Sequence, residues 1–173
     1  MIETKRLILR PLRADDLDTL TAALNNFAVS RNTARIPFPY GRADAEDFLA
    51  LTEKPVIGTL YLAIVRKDDD GHVCGGVSYE NGGNVELGYW LAESEWGKGY
   101  GGEAARAMTD HAFTIAGHGA LFAGYCHGNE ASRCILEGLG FSVIEEREMF
   151  SRAMGRNVPL VRMRLARATW ENP

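Results

Sequence analysis

Four glycines fall within six residues of the segment Glu95-Trp96-Gly97-Lys98-Gly99-Tyr100-Gly101-Gly102-Glu103-Ala104. Glycine lets the backbone come close to a ligand, and successive N–H groups can then point outward together. The segment lies between a predicted strand at 85–91 and a predicted helix that runs from the glycines to about residue 116. A helix start adds unpaired N–H donors and the positive end of the helix dipole. The pattern therefore predicts an anion pocket that suits a phosphate group.

Two nucleotide-binding motifs share part of this glycine pattern. Gly97, Gly99 and Gly102 match G-x-G-x-x-G. The dinucleotide fold, however, places the first of these glycines tightly after the first strand of a parallel unit, with an acidic residue at the end of the next strand. Here four strands are predicted before the turn, and the next strand ends in His127. A P-loop requires Ser or Thr after Gly-Lys, and Gly99 stands there instead. A glycine-rich turn without a ligand is the remaining alternative.

Hydrophobic periodicity predicts a run of strands before this turn and an alternation of helices and strands after it. Strands are predicted at 6–10, 60–65, 72–79, 85–91, 120–127, 141–147 and 158–165, helices at 15–24, 43–52, 97–116 and 129–137, and a turn at 68–71. This order is typical of a mixed α/β sheet with helices on both faces. No repeat or linker divides the 173 residues, so we expect one domain over 1–173 with a loose tail at 168–173.

Composition and charge disfavour several classes of function. A net charge of −4 argues against a nucleic-acid partner, which needs a basic surface. No apolar run approaches the roughly 18 residues that span a bilayer, and the first residues lack the apolar stretch of a signal peptide. We therefore expect a cytoplasmic protein with no membrane partner. Cys74, Cys126 and Cys134 lack the paired spacing of a disulfide framework or a zinc site, so no metal is expected.

The glycine segment resembles the acetyl-CoA signature of the GNAT superfamily of N-acetyltransferases, Q/R-x-x-G-x-G/A. Trp96 takes the first position of that signature, Gly99 the glycine and Gly101 the last position. Trp departs from the general pattern, but it matches the RimJ/RimL-like branch, whose members commonly have W-G-x-G-Y-x-x-E-A. Residues 96–104 fit that form throughout.

Three further segments resemble the same branch and follow in the same order. They are Thr4-Lys5-Arg6-Leu7-Ile8-Leu9-Arg10-Pro11, Glu86-Leu87-Gly88-Tyr89-Trp90-Leu91, and Asn129-Glu130-Ala131-Ser132 followed by Leu139-Gly140-Phe141. Gly138 departs from the pattern, since the branch usually has Lys there, and the match over 147–159 is loose. The resemblance implies a GNAT-like, mostly antiparallel central sheet of about seven strands with helices on both faces. It also implies acetyl-CoA as the co-substrate.

The resemblance further implies which residues contact coenzyme A. The first set comprises Leu91, Trp96, Gly97, Lys98, Gly99, Tyr100, Gly101 and Gly102, whose glycine-turn amides would hold the pyrophosphate. Asn129 and Ser132 lie three residues apart and hence on one helix face. By resemblance they face the pantetheine arm and the thioester sulfur, although Asn129 also suits a helix N-cap. Lys98 and Arg106 are candidates for an outer phosphate, with solvated basic side chains as the alternative.

Acyl transfer to an amine requires a neutral amine and a hydrogen-bond donor for the leaving sulfur. An α-amine has a pKa near 7.8, so deprotonating it at pH 7 costs about 1 kcal/mol, whereas a lysine side chain costs about 4.6 kcal/mol. Glu86 is the candidate base, because it lies on the strand that leads into the glycine turn and the branch has Glu there. A solvent-facing strand carboxylate is the alternative. Ser132 is the candidate donor, since residues 131–137 lack the Tyr that many GNAT enzymes use.

We therefore predict an N-acetyltransferase that moves the acetyl group of acetyl-CoA to a primary amine by direct attack in a ternary complex. The expected acceptor is the α-amine of a protein or peptide N-terminus. A small amine such as an amino acid, a polyamine or a drug is one alternative, and a non-catalytic acyl-CoA sensor is another. The predicted assembly is a monomer or a homodimer. A covalent route through Cys126 or Cys134 is disfavoured, because no base is spaced to activate either thiol.

Overall fold

One sheet of eight strands forms the centre of the protein in the computed structural model, which describes residues 1–54, 56–68 and 71–171. The strands are β1 Ile2–Glu3, β2 Leu7–Arg10, β3 Leu60–Arg66, β4 Val73–Asn81, β5 Val85–Leu91, β6 Ala120–Cys126, β7 Ser142–Ser151 and β8 Arg156–Ala166. Their order across the sheet is β1-β2-β3-β4-β5-β6-β8-β7. Among these strands β5 and β6 pair in parallel, and the other neighbours pair antiparallel. The predicted mixed, mostly antiparallel sheet is thus confirmed, with the two-residue β1 as an addition.

Helices cover both faces of the sheet, as predicted. They are α1 Leu17–Leu24, α2 Phe27–Ser30, α3 Arg42–Thr52, α4 Tyr100–Thr114, α5 Glu130–Gly138 and α6 Arg167–Glu171. The first three pack together on one face, and α4 and α5 pack on the other. Within the described part of the chain, none of these helices has the length and apolarity to cross a bilayer.

Two hydrophobic cores lie on the two faces, and the alternation of β5 separates them. Leu87, Tyr89 and Leu91 contact the core under α4 and α5. Trp90 packs instead against the core built from α1, α2 and α3. Successive side chains of a strand point to opposite faces, so Glu86 shares the face of Trp90. We refer below to the α1–α3 face and the α4–α5 face.

The predicted elements agree with the structure to within a few residues, and β5 has the predicted bounds. β7 ends at Ser151, four residues beyond its predicted end, and α4 begins at Tyr100 rather than at residue 97. Gly97 and Gly99 have φ angles of 75° and 81°, in the left-handed region that an α-helix excludes. The glycine turn is therefore a separate loop before the helix. The predicted turn at 68–71 includes residues 69 and 70, which lie outside the described residues.

The prediction of a loose tail at 168–173 is wrong over residues 168–171, which belong to α6. Trp170 packs against the main core, and its ring centroid lies 6.3 Å from that of Phe113. The guanidinium carbon of Arg106 lies 5.3 Å from the centroid of the same indole. Trp170 thus helps to anchor a helix of five residues, which is too short to show a periodic pattern in the sequence. Residues 172 and 173 lie outside the described residues.

An ion pair is buried between β2 and the start of α1. Arg10 donates hydrogen bonds of 2.7 and 2.8 Å to the two carboxylate oxygens of Asp16, and these side chains are only 9% and 7% exposed. Asp16 also accepts the backbone N–H of Arg13 at 2.7 Å. Hydrogen bonding to Asp16 raises the pKa of the Arg10 guanidinium above its ordinary value. This pair fixes the direction in which the chain enters α1.

Replacing Asp16 with Ala should lower the free energy of unfolding by about 3–5 kcal/mol, because Arg10 would remain buried without its partner. Urea-induced unfolding followed by circular dichroism measures the change. Asp18→Ala is the matched control, since Asp18 is 91% exposed and its pairing with Arg42 is worth less than about 1 kcal/mol. Equal losses in the two variants would contradict the structural role given to the buried pair.

Candidate active site

The two parallel strands at the centre of the sheet separate along their length. β5 and β6 are in register at Glu86 and Phe122 alone, whereas β4 and β5 pair along the whole of β5. Since parallel strands run in the same direction, the gap widens toward Leu91 and Cys126, the last residues of the two strands. The separation leaves a slot through the sheet, which we call the central slot.

A cleft of about 1330 Å³ occupies the central slot and continues over the α1–α3 face. It exceeds the roughly 300–1,000 Å³ of a typical pocket for one small ligand, so a cofactor and an acceptor can both fit. The predicted site residues that line it are Glu86, Leu91, Trp96, Gly97, Gly99, Gly101, Gly102, Asn129 and Ser132. Within the described residues, no three His, Cys, Asp or Glu side chains are grouped to hold a metal ion.

The glycine turn brings the start of α4 close to its neighbours at the edge of this cleft. A Cβ atom at Gly101 would lie 3.2 Å from Ile135 and 3.5 Å from Leu91, so a larger residue would push α4 away from α5 and β5. The left-handed Gly99 is the N-cap residue of α4. The first N–H groups of a helix have no acceptor within the helix. The turn therefore presents backbone donors and the positive end of the helix dipole at the cleft.

Glu103 explains why the glycine turn holds its position. Its carboxylate accepts hydrogen bonds from the Thr4 hydroxyl at 2.6 Å and from the Arg6 backbone N–H and Nε at 2.8 and 2.7 Å. Arg6 also donates to the carbonyl of Lys98 at 2.9 Å. Burial alone would raise the pKa of Glu103, but the hydrogen bonds from Thr4 and Arg6 outweigh it and lower the pKa. The N-terminal segment thus clamps both the turn and the first turn of α4.

Three of the basic or aromatic candidates for cofactor contacts do not line the cleft and have other partners. The Nζ atom of Lys98 donates to Glu95 at 3.1 Å, and the ring of Tyr100 lies 4.7 Å from the guanidinium carbon of Arg6. Arg106 donates to the backbone carbonyl of Gly138 at 3.3 Å. Lys98 and Arg106 would have to leave these partners to reach a phosphate. Their predicted phosphate contacts stay predictions.

Ser132 lies on the α4–α5 face with a partner that the sequence analysis missed. Its hydroxyl is 2.9 Å from the phenol oxygen of Tyr89, and its backbone N–H donates to the side chain of Asn129 at 3.2 Å. Burial raises the pKa of Tyr89 to about 12, although the hydrogen bond with Ser132 lowers it slightly. The alternation of side chains along the predicted strand could have indicated Tyr89, because it places this residue on the face opposite to Glu86. The hydroxyls of Tyr89 and Ser132 form a pair beside the slot.

Glu86 lies on the α1–α3 face at the narrow end of the central slot. Its carboxylate accepts a 2.5 Å hydrogen bond from Arg162, whose other terminal nitrogen donates to Glu145 at 3.2 Å. The guanidinium carbon of Arg162 lies 4.9 Å from the centroid of the Phe122 ring. The Glu86 side chain is nevertheless 42% exposed. It is thus held in place and open to the cleft at the same time.

A second carboxylate, Glu80, stands directly across from Glu86 in the β4–β5 ladder and also lines the cleft. It accepts hydrogen bonds of 2.7 Å from Arg35 and from the Tyr61 hydroxyl. Burial alone would raise the pKa of Glu80, but the hydrogen bonds from Arg35 and Tyr61 lower it overall. Sequence analysis missed this residue, because the predicted strand ended at residue 79, whereas β4 continues to Asn81. Glu80 and Glu86 thus each have an arginine partner.

Comparisons with known sequences agree with this architecture. The family model for the acetyltransferase (GNAT) domain matches residues 6–142. A Bacillus licheniformis protein named uncharacterized N-acetyltransferase p20 is 27% identical over 159 residues, which cover 88% of each chain.

Solved structures show the same fold. The spermidine N-acetyltransferase from Vibrio cholerae, in complex with CoA and spermine, superposes with a TM-score of 0.81 at 18% identity and covers 98% of this chain and 100% of that one. A GNAT-family acetyltransferase from Bacillus anthracis also gives 0.81, at 16% identity and with 96% and 98% covered. These likenesses agree with a family model that spans most of the chain. The protein belongs to the GNAT family of acetyltransferases, with acetyl-CoA as its co-substrate.

Proposed function

We propose that this acetyltransferase is a RimJ/RimL-like N-acetyltransferase that acts on a primary α-amine by direct attack in a ternary complex. The observation that carries the proposal is that one cleft reaches Ser132 and Tyr89 on one side of the sheet and Glu86 on the other. Direct attack requires the thioester and the amine to meet in a near-attack geometry. The central slot gives the two substrates separate entrances and a common meeting point.

On the cofactor side, the N–H groups of residues 97–102 would hold the pyrophosphate at the start of α4. The pantetheine arm would lie in the central slot between β5 and β6. The side-chain oxygen of Asn129 already accepts the N–H of Ser132 and caps α5. Its amide NH₂ group then remains to donate to a carbonyl of the pantetheine arm.

On the amine side, Glu86 would accept the amine proton through a water molecule. Deprotonating an α-amine at pH 7 costs about 1 kcal/mol, against about 4.6 kcal/mol for a lysine side chain. A carboxylate acting through water is a modest base, which suits the smaller of these two costs. This difference favours an α-amine over a lysine side chain as the acceptor.

On the sulfur side, the Ser132 hydroxyl would donate a hydrogen bond to the leaving thiolate, which needs no full proton transfer, and Tyr89 would orient Ser132. An alkyl thiol has a pKa near 8.5, so proton transfer to it from a phenol with a pKa of about 12 is uphill by roughly 5 kcal/mol. Tyr89 therefore suits a positioning residue rather than a general acid. When the Tyr89 hydroxyl donates its hydrogen bond to the Ser132 oxygen, the serine O–H remains available to donate to another acceptor.

A polyamine is a second candidate acceptor, because the fold is similar to that of a spermidine N-acetyltransferase solved with spermine. The two carboxylates beside the central slot are already paired, since Glu80 binds Arg35 and Glu86 binds Arg162. A second ammonium group could bind either of these two carboxylates only by displacing a guanidinium group.

The release of free thiol from acetyl-CoA tests the proposed activity across three panels: peptides with free N-termini, N-blocked lysine peptides and small amines. We expect turnover with free α-amines and little with lysine side chains. Firm binding of coenzyme A without turnover in any panel would contradict catalysis and favour a non-catalytic sensor.

Replacing Gly101 with Val should weaken coenzyme A binding by about tenfold or more, because the added side chain would displace the donor-bearing start of α4. Isothermal titration calorimetry with coenzyme A measures the dissociation constant. Gly119→Val is the control, since a Cβ atom there meets nothing within 4 Å. A folded Gly101 variant with the affinity of the wild type would count against the glycine-turn site.

Replacing Glu86 with Gln should lower kcat/KM for the amine at pH 7 by about 10²-fold, the usual contribution of a general base. Affinity for coenzyme A should stay the same. Glu145→Gln is the matched control, because Glu145 binds the same Arg162 but does not line the cleft. An unchanged rate in the Glu86 variant would remove this residue from the mechanism.

Tyr89→Phe should reduce kcat by about tenfold in the wild type and have little effect in the Ser132→Ala background, because Tyr89 acts through Ser132. The KM for acetyl-CoA should change little. Steady-state rates of the two single variants and the double variant complete the cycle. Additive losses would show that Tyr89 acts independently of the serine.

A further inference from the structure

The α1–α3 face of the cleft has a basic wall on the side of β7 and β8. In the β6–β8–β7 ladder, Leu160 pairs with Cys126 on one side and with Arg147 on the other, so these three side chains form one row. Leu160 shares its face with Arg162, which binds Glu86. Arg147 therefore points to the same side of the sheet as the candidate base. Two strand spacings, about 10 Å, separate it from the strand that borders the slot.

Arg31 reaches the same wall from the end of α2. Arg31 directly follows α2 and lines the cleft, and its charge acts against the rise that burial causes in the pKa of the Cys126 thiol. Arg152, on the β7–β8 connection, donates to the carbonyl of Arg35 at 3.3 Å. All three arginines line the cleft, and we call Arg31, Arg147 and Arg152 the arginine wall.

The charges of the arginine wall are not balanced by neighbouring carboxylates. Within residues 1–54, 56–68 and 71–171, the guanidinium groups of Arg31 and Arg147 form no ion pair or hydrogen bond, and both residues are exposed. The acidic residues of β7 have other contacts: Glu145 with Arg162, Glu146 with His127 at 3.7 Å, and Glu148 with Asn157 at 3.2 Å. An anion from outside the chain would thus meet unpaired guanidinium donors.

The opposite wall of the cleft has the opposite charge. Asp44 and Asp47 of α3 line it, and Asp44 accepts the backbone N–H of Gly41 at 2.9 Å. Phe48 of the same helix packs edge-on against Tyr61 of β3, which places α3 over the other half of the sheet. The cleft is therefore polarised across the central slot. An acceptor that enters it has its negative group directed toward the arginine wall.

We infer that the arginine wall is a subsite for a carboxylate carried by the acceptor molecule. The inference rests on the proposed function, since the acceptor amine must enter from the α1–α3 face. Guanidinium groups bind carboxylates through paired, charge-assisted hydrogen bonds, which fix orientation as well as affinity. The acceptor class is an α-amine with a nearby carboxylate. The carboxylate comes either from a free amino acid or from an acidic first residue of a peptide.

The test compares matched acceptors that differ only in this negative charge. Peptides beginning with Asp and Asn give one pair, and a free amino acid and its amide give the other. We expect kcat/KM to favour the carboxylate by about tenfold or more in at least one pair, and the pair that responds identifies the source. Arg147→Glu should abolish this preference. Arg156→Glu, exposed on the same hairpin but outside the cleft, should retain it.

Each contrary result has a distinct meaning. Acetylation of amines without any preference for the carboxylate would overturn the subsite and leave the proposed function intact. If no amine is acetylated, calorimetry of the coenzyme A-loaded protein still tests the subsite. The ligands are N-acetyl-aspartate against N-acetyl-asparagine, and the corresponding N-acetylated peptides. Equal affinities within both pairs would overturn the subsite. A change in the ratio of KM for acetyl-CoA and acetyl-dephospho-CoA in Arg147→Glu would assign the arginine wall to the cofactor phosphate instead.

Discussion

The separation of β5 from β6 is the feature on which the rest of the site depends. Beyond Glu86 and Phe122 the two strands no longer pair, so their facing N–H and C=O groups lack the partners that a continuous sheet supplies. Backbone groups buried without partners cost about 1–3 kcal/mol each, so water or a ligand must satisfy them. In the proposed function the amide-containing pantetheine arm takes that place, as an added strand would. The break in the sheet is thus a structural cost, which the proposed function turns into a binding site.

The two-residue period of β5 then divides the chemistry between the faces of the sheet. Glu86 and Trp90 lie on the α1–α3 face, where the proposed acceptor enters, whereas Tyr89 and Leu91 contact the core under α4 and α5. A slip of one residue in the β4–β5 register would exchange these sets and move the proposed base, Glu86, to the opposite face of the sheet. Burial of Leu87 beneath α4 and α5 opposes such a slip. The hydrophobic core therefore fixes the register that the proposed reaction requires.

Local patterns in the sequence were sufficient for the bounds of β5, the glycine turn and the cap at Asn129, because each depends on neighbours within a few residues. The partners of the site residues could not be predicted in this way. Tyr89 and Ser132 are 43 residues apart, and Glu86 and Arg162 are 76 apart. Such pairs depend on which strands become neighbours, and the crossing of β8 between β6 and β7 has no local signal. The helix at Arg167–Glu171 was missed for the same reason, since it depends on distant contacts.

Total charge was similarly uninformative about the acceptor. The chain has a net charge of −4, yet one wall of its cleft is basic. That wall is also hydrogen-bonded to the segment before α3. The backbone N–H of Arg152 donates to the carbonyl of Ala34 at 3.0 Å, and the hydroxyl of Ser151 donates to the carbonyl of Thr33 at 3.4 Å. The same segment contains Arg35, which forms an ion pair with Glu80. The arginine wall and the Arg35–Glu80 ion pair are therefore joined by one hydrogen-bonded stretch of backbone.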